Sequence, residues 1–416
     1  MTHSRLRLDS RWAIVLVGFV ALSLAFSGRS MLGLAMSEWV GEFGWTKAGI
    51  SSVMTATLVI MAGLAPLVGY AIDRSGPRLI LTGGLLLVGA SSAVLAGMHG
   101  MLAFIIGFAG LGALGFGLVA THAVSSAVAR SFDRGQGRAV GIATSGSTAG
   151  QFVFVPILGL LLAGGGWRLG YEALAGACLI VAIVAWLLLR NGASHGVAHA
   201  AHEGSRESFL ARVSHLFRQP VFHGLFWSFL LCGYTSTGVV ETHLIPYAEF
   251  CGIPPAPSSL AFGLLMGVNT LGMVAAGYLT DRVNRTLLLA SIYFFRSLTF
   301  LMLPLLIDDA SVLWIFAVLF GIFDYATVPP TASLAAGHLG KARVGTAMGL
   351  ISAGHSIGAA MGAFAGGYIF DATGGYGWLW SSSFGLALAA AGIAAVVPSA
   401  GTRNQGSAIR AAVSDT

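Results

Sequence analysis

The sequence predicts an all-α membrane protein with twelve transmembrane helices in two pseudo-symmetric six-helix bundles. Three observations carry that prediction. Of 416 residues, 56% are hydrophobic and only 9% are charged, against roughly 25% charged in a soluble domain, so a soluble fold would lack the polar side chains to coat its surface. The apolar residues gather into runs of about the 20 residues that a helix needs to cross a bilayer core. The second half of the chain also repeats motifs of the first at an offset of 208, as Gly277 repeats Gly69.

The runs fall at roughly 12–36, 48–72, 79–97, 101–128, 139–163, 171–190, 221–246, 258–280, 286–306, 311–336, 346–370 and 377–398. The first is too long for a signal peptide and shows no clear cleavage site, so it is expected to remain as a helix. Orientation follows from Lys and Arg. On this span list, eighteen of the 22 lie in the tails and in the loops after spans 2, 4, 6, 8 and 10. Lys47 and Arg168 lie in the opposite loops, and Arg29 and Arg296 lie within spans. The rich side is expected to be cytoplasmic, which places the spans in the cytoplasmic (inner) membrane and both termini in the cytoplasm. The net charge of +6 is then a topology signal, and no basic face on a folded domain suggests a nucleic-acid partner.

The expected organisation is a six-helix bundle over 1–190, a solvated cytoplasmic linker over 191–220, a second bundle over 221–398 and a cytoplasmic tail over 399–416. His195, His199 and His202 in the linker have no other ligand chemistry nearby, so a solvated segment is favoured over a metal site. Cys178, Cys232 and Cys251 show no paired or metal-ligand spacing. Neither a metal nor a cofactor is expected, and no catalytic array suggests an enzyme.

The repeat sorts residues by purpose. Gly69-Tyr70-x-x-Asp73-Arg74 recurs as Gly277-Tyr278-x-x-Asp281-Arg282, and Gly141, Gly146, Gly150 and Gly159 recur as Gly349, Gly354, Gly358 and Gly367. A feature present in both halves serves architecture. Gly354, Gly358, Gly362 and Gly366 form one smooth helical face for close helix packing. A polar residue found in one half alone needs another reason. Duplicated halves are a common plan of secondary transporters, with the substrate site between them near mid-membrane.

The stretch Gly69–Arg78, with Gly69, Asp73, Arg74, Gly76 and Arg78, resembles the signature of the major facilitator superfamily between spans 2 and 3. Asp281-Arg282-x-x-Arg285 is its weaker copy. A finer resemblance is to the monocarboxylate-porter-like branch. It rests on Glu42–Ala48, Gly150-Gln151, Pro156, Gly166-Trp167-Arg168, His243-x-x-Pro246-Tyr247, Asp324, Pro329 and Phe370–Gly374. Where that branch often carries an arginine in span 8, this chain has Met273, with Asn269 one turn earlier; this departs from a simple lactate or pyruvate carrier. The superfamily resemblance implies that Asp73 latches the halves on the cytoplasmic side. At the C-terminus of its own helix, the dipole disfavours an anion, so Asp73 should seek a cation or another helix's N-terminus. Arg74, Arg78 and one of Arg130, Arg134 or Arg138 are the candidate partners.

Ionisable groups inside spans cost at least a few kcal/mol and tend to face a cavity or a partner. Arg29 on span 1 has only Thr237 at its repeat position. Arg296 on span 9 and Asp324 on span 10 sit at equal depth, suggesting a salt bridge. Glu241 and His243 lie on span 7 and His355 near the centre of span 11. The expected substrate contacts are Arg29, Arg296, His355, Asn269, Tyr247 and Gln151, with Tyr325 as a further hydrogen-bonding group. Glu241, His243 and Asp324 are the expected proton carriers. The function so implied is proton-coupled secondary transport of a small organic anion, most simply a carboxylate, by a monomer in the bilayer. An exporter of amphiphilic drugs or metabolites and a non-transporting membrane sensor are the rival readings.

Overall fold

The structure, a computed structural model, describes residues 10–189, 207–307 and 309–398. The segment with His195, His199 and His202 and the tail from 399 lie outside them. The first bundle comprises α1 (Ser10–Phe43), α2 (Lys47–Ser75), α3 (Pro77–Ala96), α4 (Met101–Ser131), α5 (136–165) and α6 (Gly166–Leu188). A short helix, α7 (Phe209–Phe217), follows. The second bundle comprises α8 (220–250), α9 (Pro255–Thr280), α10 (Arg285–Leu306), α11 (Ser311–Leu339), α12 (Val344–Thr373) and α13 (Gly377–Ala395). Ten helical stretches among the described residues are long and apolar enough to cross a membrane, and α5 and α8 complete the twelve.

Each boundary has a local cause. Thr46 caps α2 by accepting the Gly49 N–H at 3.0 Å. Gly76 ends α2 and starts α3 at φ 77°, a left-handed angle that suits glycine, and Pro77 takes the first position of α3, where its missing N–H costs nothing. Gly166, at φ 76°, breaks α5 from α6 in the same way.

The bundles pack by the glycine code. In the first, Gly146 lies against the Phe19 backbone and Gly150 against Ser23, joining α5 to α1; in the second, Gly358 lies against the Leu230 carbonyl and Gly362 against Tyr234 and Gly238, joining α12 to α8. A side chain at any of these positions would hold the backbones apart, and in lipid that close contact is the main source of helix association. The opposite end of each bundle, away from the arginine-rich end, carries an aromatic cluster. Trp39 packs with Trp45, Phe104, Trp167 and Tyr171, while Tyr247 packs with Tyr376 and Trp380. Glu42 fastens the first cluster, accepting from Trp167 Nε1 at 2.8 Å and Arg168 Nη2 at 2.6 Å. These bonds, Arg168's first, hold its carboxyl below the usual range.

The expectation of a wholly solvated linker over 191–220 is corrected. Within it Ser208 caps α7, whose apolar Phe209, Val213 and Leu216 recur at helical spacing, and Arg212 on that helix is fully buried.

The glycine faces generate a direct test. Gly150→Ala or Gly358→Ala should destabilise the protein by about 1–3 kcal/mol, the usual cost of overpacking, read as a lower melting temperature in detergent. Gly263→Ala, where nothing lies within 4 Å of an added Cβ, should leave the melting temperature unchanged.

Candidate functional site

At the arginine-rich end four helices bring the two bundles into backbone contact. Gly69 of α2 touches the Gly345 carbonyl of α12, and Gly349 of α12 touches the Ala65 carbonyl of α2; Gly137 and Gly141 of α5 meet Gly277 of α9. Each contact is sealed by a carboxylate. Asp73 accepts from the Gly345 N–H at 2.9 Å, the Thr346 N–H at 2.8 Å and Thr346 Oγ1 at 2.8 Å. Asp281 accepts from the Gly137 and Arg138 N–H groups at 2.7 and 2.8 Å. Each carboxylate leaves the unfavourable C-terminus of its own helix for the free N–H groups of a helix in the other bundle, where the dipole favours an anion.

The cationic partners of Asp73 are Arg130 Nη1 at 3.2 Å and Arg212 Nη1 at 3.3 Å. Of the three alternatives Arg130, Arg134 and Arg138, Arg130 is the partner; the expectation that Arg74 and Arg78 also pair with Asp73 is corrected. Arg74 turns to the Tyr70 hydroxyl at 3.3 Å. Arg78 lies 3.6 Å over the Trp186 ring and donates to its carbonyl. The Arg138 side chain lies over Trp12, while its backbone N–H serves Asp281. Arg282 likewise lies over the Tyr278 ring. The unexpected partner, Arg212, also donates to the Ala342 carbonyl at 3.1 Å. Glu207 joins the same strap, 3.0 Å from Arg343 Nε. The amphipathic spacing of Phe209, Val213 and Leu216 behind Ser208 was the available signal. Nearby, Lys341 pairs with Asp133 across the bundles and holds its carboxyl below the usual range.

Thr270 of α9 donates to Thr148 of α5 at 2.9 Å. One turn farther from the arginine-rich end the bundles part around a cavity of about 120 Å³. The first bundle contributes Phe26, Arg29, Ser30, Met54 and Gln151, and the second contributes Glu241, Phe262, Met266 and Tyr325. The walls differ in charge. Arg29 has no carboxylate within salt-bridge distance among the described residues, and its buried Nε has no hydrogen-bond partner. Its guanidinium lies 4.8 Å from the Phe26 ring. Ser30 donates to Gln151 Oε1 at 3.1 Å, fixing the amide. Opposite, Glu241 Oε1 accepts from Thr237 and from the Tyr325 hydroxyl, each at 3.1 Å. A π-helical stretch over Tyr234–Val240 immediately precedes Glu241, a local rewinding common at functional sites.

The structure therefore gathers Arg29, Gln151 and Glu241 from the expected set, together with Tyr325. It does not gather the others there. Arg296 and Asp324 do pair, at 3.9 Å, but they and Asn269 form a buried layer behind Tyr325 and do not line the cavity. His243 binds the Ala363 carbonyl at 3.0 Å and lies under Gly366, so it joins α8 to α12 as a core histidine. Tyr247 donates to the Leu303 carbonyl at 2.8 Å inside the aromatic cluster. His355 packs on Phe229 at the α8–α12 contact. The apolar lining, Phe26, Met54, Phe262 and Met266, gave no signal in a sequence already rich in such residues.

Residues 18–323 match the Major Facilitator Superfamily. The chain is 28% identical over 375 residues to a Bacillus subtilis protein named uncharacterized MFS-type transporter YcxA, covering 88% of this chain and 90% of that one. It is 25% identical over 398 residues to monocarboxylate transporter 13 of Rattus norvegicus, covering 93% and 89%. Among solved structures, the proton:xylose symporter XylE bound to 6-bromo-6-deoxy-D-glucose matches with a TM-score of 0.72 at 14% identity, over 94% of this chain and 96% of that one. The human organic anion transporter MFSD10 matches at 0.70 and 17% identity, over 92% and 99%. The two structural matches speak for the fold. With the sequence match running over well more than half of its length, the chain belongs to the Major Facilitator Superfamily as a membrane transporter that resembles the monocarboxylate-transporter branch.

Proposed function

We propose that the protein is a secondary active transporter that carries a small organic carboxylate together with a proton across the cytoplasmic membrane, by alternating access, as a monomer with both termini in the cytoplasm. The observation that carries this reading is Arg29. A guanidinium in a low-dielectric cavity is costly without an anion beside it, and the orphaned Nε is a donor that a planar carboxylate can satisfy with the geometry arginine prefers. Gln151 and Ser30 supply neutral hydrogen bonds, and Phe26, Met54, Phe262 and Met266 offer an apolar surface for the rest of the substrate.

Glu241 is the proton carrier in this scheme. Both of its donors bind Oε1, which leaves Oε2 for the proton. A carboxylate on Arg29 and a proton on Glu241 load the cavity without net charge, so the loaded carrier reorients without dragging an unpaired ion through the membrane. The Asp73 and Asp281 latches hold the cytoplasmic side shut while the site loads from outside. Opening that side must break both together, because each joins one bundle to the other. One polypeptide holds the whole site, so a monomer suffices.

In proteoliposomes, a panel of radiolabelled monocarboxylates from acetate to phenylbutyrate, tested with and without an inward proton gradient, should contain at least one that accumulates with the gradient. Arg29→Gln should lower that uptake about tenfold or more, the scale of a lost charge-assisted hydrogen bond, with Arg29→Lys intermediate. Uptake of a hydrophobic cation in place of every carboxylate would overturn the reading. Glu241→Gln should abolish gradient-driven accumulation while preserving exchange of substrate for substrate; loss of both activities in a folded variant would remove Glu241 from the proton role.

The latch is tested separately. A cysteine placed at Met273, buried between the bundles, should react with a thiol reagent about tenfold faster in Asp73→Asn, since the carboxylate loses charge-assisted bonds, and faster also in Arg212→Ala. Unchanged labelling in both would show that neither group holds that side closed.

A further inference from the structure

Three buried side chains behind the cavity remain without a part in this scheme. Arg296, Asp324 and Asn269 lie on three different helices of the second bundle, and all are almost completely buried. Their positions at the offset of 208 are Val88, Phe116 and Met61, so the first bundle folds the equivalent helices with apolar residues alone. Tyr325 and Glu241 likewise have only Gly117 and Gly33 as counterparts. The polar unit is therefore not part of the shared architecture.

Its geometry runs in one direction. Pro329 and Pro330 withdraw two N–H groups from α11 and crowd the carbonyls one turn earlier, and the helix breaks at Asp324 into a tight turn over Tyr325–Thr327. Arg296 Nη1 holds this break by donating to the Asp324 carbonyl at 3.4 Å and standing 3.9 Å from its carboxylate. Asp324 Oδ2 accepts from Asn269 Nδ2 at 3.3 Å. Asn269 Oδ1 in turn accepts the Tyr325 N–H at 3.1 Å. Gly272 and Gly321 let α9 and α11 approach closely enough for these bonds, since a Cβ at either would meet the other helix's backbone. The last link is the Tyr325 hydroxyl on Glu241.

We infer that Arg296, Asp324 and Asn269 are positioning residues: they lock the break in α11 so that Tyr325 is aimed at Glu241, and they set the charge state of the cavity through that one hydroxyl. They touch neither substrate nor proton. The inference rests on the reading of Glu241 as the proton carrier, but its test uses no substrate.

A cysteine at Met54, in the cavity wall, reports local charge through the ratio of its reaction rates with an anionic and a cationic methanethiosulfonate, followed against pH. Tyr325→Phe should displace the midpoint of that pH profile by about one pH unit, a tenfold change in proton affinity and the scale of one hydrogen bond to a charged group. Asn269→Ala, which leaves the Arg296–Asp324 pair and its charges in place, should displace it in the same direction. Combined with Tyr325→Phe it should add no further displacement, because residues acting through one group are not additive. Asn269→Ser serves if Asn269→Ala fails to fold, and Asp324→Asn is no substitute because it also removes a charge that acts on Glu241 directly. Additive displacements, or none from Asn269→Ala, would overturn the inference, as would a Tyr325→Phe profile identical to the parent's. Failure of every carboxylate in the uptake panel would overturn the proposed substrate while leaving this profile to decide on its own.

Discussion

A bilayer core offers no water to a polar group, and this constraint organises the whole molecule. Every backbone group must be satisfied within its own helix, so the chain is built of helices. Every side chain that could bond or ionise must find a partner in the protein. Asp73 finds five donors, three of them at the start of α12. Asp281 finds the start of α5. Arg29 differs from the buried Arg130 and Arg296: it lines the cavity between the bundles and has no carboxylate within salt-bridge distance among the described residues. An unpaired cation of this kind costs free energy, and the proposed carboxylate substrate would offset that cost.

The duplication separates scaffold from chemistry. Both bundles use glycine to bring their inner helices into backbone contact, and both use an aspartate to cap a helix of the other. The two contacts are related by the same offset, so the closed end is nearly symmetric. The cavity is not. Its cation comes from the first bundle and its carboxylate from the second, and the layer behind the carboxylate has only apolar counterparts in the first. The closed end is thus built alike on both sides, while the cavity carries opposite charges on its two walls.

Glycine and proline have opposite parts in this division. Glycine at 69, 137, 277 and 345 removes side chains so that helices can seal against each other. Proline at 329 and 330 breaks one helix where a side chain must be re-aimed. The break would expose polar backbone, and the Arg296–Asp324–Asn269 layer satisfies part of it. Buried ion pairs seldom repay their desolvation in stability alone, which is consistent with this one being kept for placement.

What the sequence determined by itself was whatever depends on counting along the chain. The twelve spans, the repeat, the signature glycines and the carboxylate that needs a helix N-terminus all follow from composition, periodicity and the dipole of a single helix. That Arg29 and Glu241 are unusual for their depth was legible too, but Arg296 and Asp324 carried the same signal. Which polar residues face the cavity was decided only by the tertiary structure. Arg296, His243, Tyr247 and His355 have the same chemistry as cavity residues and the same depth, but a residue's direction depends on how its helix is rotated against its neighbours. That rotation is fixed by contacts between residues far apart in sequence, such as Gly358 on Leu230 or Gly272 on Ile322. Arg212 escaped notice for the same reason: the amphipathic spacing around it signals a packed helix, but not that the helix sets Arg212 against Asp73 and Ala342.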